Sequence, residues 1–113
     1  MWLLDANMDV HLLPFLREQG VRCDAAARRG WAALGNGDLA LAAAQAGFHC
    51  ILTQDRLFAE SARVALVAVP GCCIVVIHLP QRPWREYVQQ FREAWGTSPI
   101  RPVPGQLIHW PGA

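Results

Sequence analysis

Three aspartates stand where a small protein of alternating strands and helices would gather its chemistry. Asp5 follows the apolar run Trp2-Leu3-Leu4, Asp55 follows Cys50-Ile51-Leu52 by way of Thr53 and Gln54, and Asp38 opens an alanine-rich helical run. Brought together, carboxylates are hard oxygen ligands suited to Mg²⁺ or Mn²⁺. Taken singly, each has a simpler role. Asp5 and Asp55 suit Asx turns or caps beyond a strand, and an acid at the start of a helix is explained by capping and dipole energy of roughly 0.5–2 kcal/mol. Asn7 and Thr53 add an amide and a hydroxyl two residues from Asp5 and Asp55, and Arg56 adds a guanidinium. Asp9, four residues beyond Asp5, reads as an exposed N-cap.

The other polar residues point to no second centre. His11, His49, His78 and His109 have no metal-ligand spacing and read as surface or strand-end residues, and neither Ser61 nor Ser98 sits in a nucleophile motif. Cys23, Cys50, Cys72 and Cys73 lack CxxC spacing, which removes a zinc reading and leaves small buried thiols in a reducing compartment. All ten basic residues are Arg. Arginine favours bidentate phosphate contacts, although a GC-rich genome gives the same bias. A formal charge of +1 provides no broad attraction for nucleic acid, so binding of that kind needs a local patch.

These residues are held by a chain of single-domain length, 113 residues, 53% hydrophobic and 17% charged, a composition that excludes disorder. No apolar run reaches the roughly 18 residues of a membrane span, and no basic region precedes the first apolar residues, so a cytoplasmic protein that does not engage a membrane is expected. Short apolar strands are expected at Trp2–Leu4, Val21–Cys23, Cys50–Leu52 and Cys72–Ile77, with Gln106–Trp110 as an edge strand. Helices are expected from Leu12 to Gly20, with Pro14 as a complication, over Leu39–Ala46 after the turn Gly35–Asp38, over Phe58–Arg63, and from Pro83 to a stop at Gly96. Trp84, Val88, Phe91 and Trp95 recur at helical spacing as a core-facing stripe, while Trp31 and Trp110 fall in loop and edge settings where packing is the simplest role. The alternation implies a three-layer α/β/α domain with a mainly parallel central sheet. Ligands of such sheets bind beyond the strand carboxyl ends, where Asp5 and Asp55 stand and toward which Asp38 would point.

The ordered set Leu3-Leu4-Asp5-Ala6-Asn7, Phe15-Leu16-Arg17-Glu18-Gln19-Gly20, Asp38 at a helix start, Ile51-Leu52-Thr53-Gln54-Asp55-Arg56-Leu57-Phe58, and Pro70-Gly71 before a hydrophobic strand resembles the small bacterial PIN-like proteins grouped with DUF5615 and the VapC-type toxins. The match covers most of the chain in order and spacing. It implies a PIN-like fold over residues 1–113 and descent from metal-dependent ribonucleases of toxin–antitoxin pairs. By that resemblance Asp5, Asp38 and Asp55 are the catalytic and metal residues for Mg²⁺ or Mn²⁺, and Asn7, Thr53 and Arg56 contact ligands or substrate. RNA and an antitoxin protein are the implied partners, with a homodimer as the implied assembly.

The chain departs from the family at Ala6, where members frequently carry Glu or Asp, and at Leu57, where they often carry a second Asp. A smaller acidic cluster holds a divalent cation less tightly. Two functions therefore follow: an endoribonuclease hydrolysing RNA phosphodiesters at an acidic Mg²⁺ or Mn²⁺ site, or a catalytically weakened or inactive PIN-like module that binds a protein or nucleic acid. A phosphoaspartate receiver, which also displays acids at strand ends, needs a lysine that this chain lacks.

Overall fold

Five short strands form one sheet in the order β2-β1-β3-β4-β5, and every neighbouring pair is parallel. The computed structural model describes residues 1–112. The strands are β1 (Trp2–Leu4), β2 (Cys23–Ala25), β3 (Cys50–Thr53), β4 (Cys73–Ile77) and β5 (Leu107–Trp110). The helices are α1 (Leu12–Glu18), α2 (Asn36–Gln45), α3 (Arg56–Ala68) and α4 (Trp84–Thr97), and a 3₁₀ turn spans Ala26–Arg29. All residues of β1, β3 and β4 are buried, as expected for strands covered on both faces.

Side-chain alternation divides the core between the two faces. Leu4, Cys50, Leu52, Cys73, Val75 and Ile77 join α1 and α4 in one cluster with Phe15, Tyr87, Phe91 and Trp110. Leu3, Ile51 and Ile74 face the other way, into a cluster with Leu39 and Ala43 of α2 and Phe58, Ala62 and Leu66 of α3. The α/β/α layering inferred from the alternation of strands and helices is therefore the observed one, and the sheet is wholly parallel.

Several boundaries differ from the sequence expectation. In α1, Pro14 is the third residue, within the first turn, whose N–H groups have no intrahelical acceptor, so it costs no hydrogen bond. The helix ends at Glu18, and Gly20 takes the left-handed conformation, with φ 81°, that turns the chain toward β2. That strand lies at Cys23–Ala25, two residues later than expected, because Cys23, Asp24 and Ala25 are the residues in register with Trp2, Leu3 and Leu4. Helix α2 begins at Asn36 with Gly35 as its N-cap, which makes Asp38 its third residue.

The largest difference is α3, expected over Phe58–Arg63 but running from Arg56 to Ala68. The apolar segment from Val64 to Ala68 continues the helix: Ala65 and Leu66 are buried, while Val64 and Val67 are 78% and 83% exposed. Helix α4 passes through Gly96 to Thr97, and its buried residues are Tyr87 and Phe91. Trp84, expected in the core stripe, is 42% exposed and stacks on His11 with ring centroids 4.0 Å apart. Trp110 is buried, its indole N–H donating to the Ser98 carbonyl at 2.7 Å, and Trp31 packs edge-on against Phe48, so both have packing roles. All four cysteines are buried and free, and burial pushes the Cys72 thiol up to about 11. No helix is long and apolar enough to cross a membrane among the described residues.

Candidate functional site

Parallel register places the ends of β1 and β3 side by side. Leu4 pairs with Leu52, and the Asp5 N–H donates to the Leu52 carbonyl at 2.9 Å, so the ladder delivers Asp5 directly to the carboxyl rim. In the order 2-1-3-4-5 the gap between β1 and β3 is the point where successive connections go to opposite sides, and ligands of doubly wound sheets bind in that crevice.

Thr53 is the hub of this rim. It is the one buried polar residue among those described, and its Oγ1 donates to Asp5 Oδ2 at 2.7 Å. The same oxygen accepts from the Asp55 N–H at 3.0 Å and from Asn7 Nδ2 at 3.3 Å. Asn7 Nδ2 also lies 3.4 Å from Asp5 Oδ2, and Asn7 Oδ1 accepts from the Gln54 N–H at 3.0 Å. The Ala6 N–H contributes a 2.7 Å bond to Asp5 Oδ1. Asp5 is thus held in one orientation by three donors on its two carboxylate oxygens, the Ala6 N–H and Asn7 Nδ2 from its own turn and the Thr53 hydroxyl from β3.

Asp55 belongs to the rim through its backbone, while its carboxylate serves α3. Oδ1 accepts from the Leu57 N–H at 2.8 Å, making Asp55 the N-cap of that helix. Asp55→Ala is therefore expected to cost about 1 kcal/mol and to lower the midpoint of a thermal melt followed by circular dichroism by about 4 °C. Asp38 is exposed in the first turn of α2 and hydrogen-bonds to none of these residues. Asp9 accepts from the backbone and ring of His11, at 2.9 and 2.6 Å, and stays outside the network.

The structure thus joins Asp5, Asn7 and Thr53, adjoins Asp55 through its amide, and leaves Asp38 apart. Among the described residues no three His, Cys, Asp or Glu side chains are grouped so that they could hold one metal ion. The donors gathered here are one oriented carboxylate with a neutral amide and a hydroxyl, which does not fit the three-carboxylate cage implied by the resemblance.

Beyond β3 and β4 the rim opens into a cavity of about 380 Å³ lined by Gln54, Arg56, Ile77, His78, Leu79, Pro80 and Gln81. Gln54 is tied down by Tyr87, its Nε2 donating to the phenol oxygen at 2.8 Å, and Gln81 donates to the Gln54 side-chain carbonyl. Burial, together with Asp9, raises the Tyr87 phenol well above its ordinary range, so it remains a neutral hydroxyl. At the cavity edge His78 and His109 meet, Nε2 to Nδ1, at 2.7 Å. Burial, His109 and Arg56 lower the His78 pKa below the usual histidine value. From sequence these histidines read as separate surface or strand-end residues, and the structure places His78 just beyond β4 and His109 in β5. Their proximity follows from the β4–β5 register, Val76 opposite His109 and Ile77 opposite Trp110, which no local spacing reveals.

Comparisons with protein-family models, with curated proteins and with solved structures found no match. What the geometry defines is an α/β domain with a five-stranded all-parallel sheet and a polar rim centred on Asp5.

Proposed function

We propose that this chain is a PIN-like domain that binds RNA at its strand-end rim and has lost the three-acid metal centre of the toxin ribonucleases. The observation that supports this reading is the hydrogen-bonded unit Asp5–Thr53–Asn7–Gln54 at the β1/β3 crevice, beside Arg56, with Asp38 apart and the Asp55 carboxylate committed to a helix cap. An RNA strand lying along this rim meets an amide at Asn7 and a guanidinium at Arg56. The first can bond sugar hydroxyls or base edges, and the second bonds phosphate.

A second reading, the toxin-type endoribonuclease dependent on Mg²⁺ or Mn²⁺, draws on one feature: Asp5 and the Asp55 amide share the Thr53 hydroxyl, so both acids stand at the same rim. The two readings part on one experiment. Fluorescence anisotropy with a single-stranded RNA at low salt is expected to show binding that weakens with added salt, with Asp5→Asn binding as well as or a few-fold better than wild type because a negative charge is removed. Incubated with Mn²⁺, the RNA should stay intact. Cleavage by wild type that Asp5→Asn abolishes would establish the ribonuclease reading instead, and an RNA that fails to bind at low salt would overturn both.

A further inference from the structure

We propose that the cavity beyond β3 and β4 is a binding site for a phosphate ester of nucleotide size, held by Arg56 and the His78–His109 pair. The assignment deepens the RNA reading by giving the rim a terminal-phosphate pocket, and it also stands on observations of its own. The cavity, at about 380 Å³, lies within the roughly 300–1,000 Å³ range of small-ligand sites. No carboxylate is among its lining residues.

Its donors are uncommitted where an anion would need them. Arg56 lines the cavity and makes no hydrogen bond or ion pair with another side chain among the described residues, whereas Arg28, Arg29 and Arg92 each pair with an acid. A planar guanidinium presents a fork of N–H groups that matches two phosphate oxygens. His78 has its Nε2 engaged with His109 and leaves Nδ1 for a ligand. The Gln54 and Gln81 amides are fixed by the chain through Tyr87, so their remaining N–H groups are held in place before a ligand arrives.

This constellation has a pH signature. The charged and titratable groups facing His78 are Arg56 from α3 and His109 from β5, and both oppose a proton on its ring. A bound anion reverses that balance, because a negative charge beside Arg56 stabilises the protonated form of His78. Anion binding and proton uptake are therefore linked, and affinity rises as pH falls through the histidine range.

Two probes separate the protein's titration from that of the ligand. Sulfate stays dianionic between pH 5.5 and 8, whereas inorganic phosphate does not. NMR titration of the full chain with sulfate is expected to move the resonances of residues 54–56 and 78–81, with affinity at pH 5.5 at least fivefold above that at pH 8. Arg56→Gln should lower affinity about tenfold at both pH values, and His78→Gln should abolish the pH dependence while circular dichroism shows an unchanged fold. Sulfate shifts elsewhere only, or equal affinity in wild type and Arg56→Gln, would overturn the site. A 5′-phosphorylated RNA oligomer binding tenfold tighter than its 5′-hydroxyl counterpart identifies an RNA end as the source. Equal binding of the two, with sulfate still bound, rejects the RNA end and assigns the pocket to a free nucleotide or phosphate, leaving the RNA reading to stand or fall on its own measurement.

Discussion

Thr53→Val is expected to destabilise the domain by about 3 kcal/mol and to lower its thermal midpoint by roughly 10 °C, although the two side chains have nearly the same volume. The hydroxyl is completely buried and serves three partners at once: Asp5 Oδ2, the Asp55 N–H and Asn7 Nδ2. Valine fills the space and satisfies none of them. The Asp55 amide loses its acceptor beneath the first turn of α3, and the Asp5 carboxylate loses its shortest side-chain donor next to buried strand ends. Each unpaired group costs about 1–3 kcal/mol when water does not replace the lost partner. Thr53→Ser keeps the hydroxyl and should recover most of the loss, leaving only a methyl-sized deficit of about 1 kcal/mol. Chemical denaturation of the three proteins measures this directly. If valine and serine were equally destabilising, the methyl group would be the part that matters, and Thr53 would not be the hub of the rim.

The same residue shows what the sequence makes legible. A buried parallel strand is a short run of apolar residues with no polar alternation, so Trp2–Leu4 and Cys50–Leu52 announce themselves, and the first polar residues after them must lie at the rim. Strand ends thus locate Asp5, Thr53 and Asp55 without any knowledge of their partners. What the Asp55 carboxylate does at the rim is decided by a backbone amide two residues away, whereas Asp5 and Thr53 are set by each other across 48 positions. The Asp55 carboxylate turns to the Leu57 N–H because an N-cap leaves that donor without an intrahelical acceptor. An acid at a strand end and an acid at a helix start look alike in sequence whether they cap or coordinate.

Longer-range features were less accessible. Val64 to Val69 has the composition of a strand, and only the helical continuation of α3, with two valines turned to solvent, shows otherwise. The contact between His78 and His109 spans 31 positions and depends on which strand lies beside β4. Gln54, Tyr87 and Gln81 likewise come from a strand end, a helix and a loop. Periodicity reports which face of an element is apolar and carries no information about its neighbour, so a cavity between elements is invisible to it.

Helix α4 is where that limit leads to the largest expected effect. The spacing of Trp84, Val88, Phe91 and Trp95 treats all four as one core stripe, and on that reading truncating Trp84 would be as harmful as truncating Phe91. The structure distributes them unequally. Phe91 is fully buried, with ring centroids 4.7 Å from Trp110, 5.9 Å from Phe15 and 6.2 Å from Trp95. Removing its ring leaves a cavity among rigid aromatic neighbours that have little freedom to collapse, so Phe91→Ala should cost about 3–5 kcal/mol, comparable with the total stability of a marginal domain of this size. Trp84 sits at the first turn, 42% exposed, with its ring contacts limited to the surface groups His11 and Arg85, so Trp84→Ala should cost about 1 kcal/mol or less. The expected melts differ by at least about 10 °C. Equal losses in the two variants would mean that Trp84 belongs to the core and that α4 is rotated about its axis from the orientation that buries Tyr87 and Phe91. Because Tyr87 anchors Gln54 from that same buried face, such a rotation would also dismantle the cavity next to Arg56, so the stability of Phe91→Ala and the anion affinity of the wild type test one arrangement of α4 from its two ends.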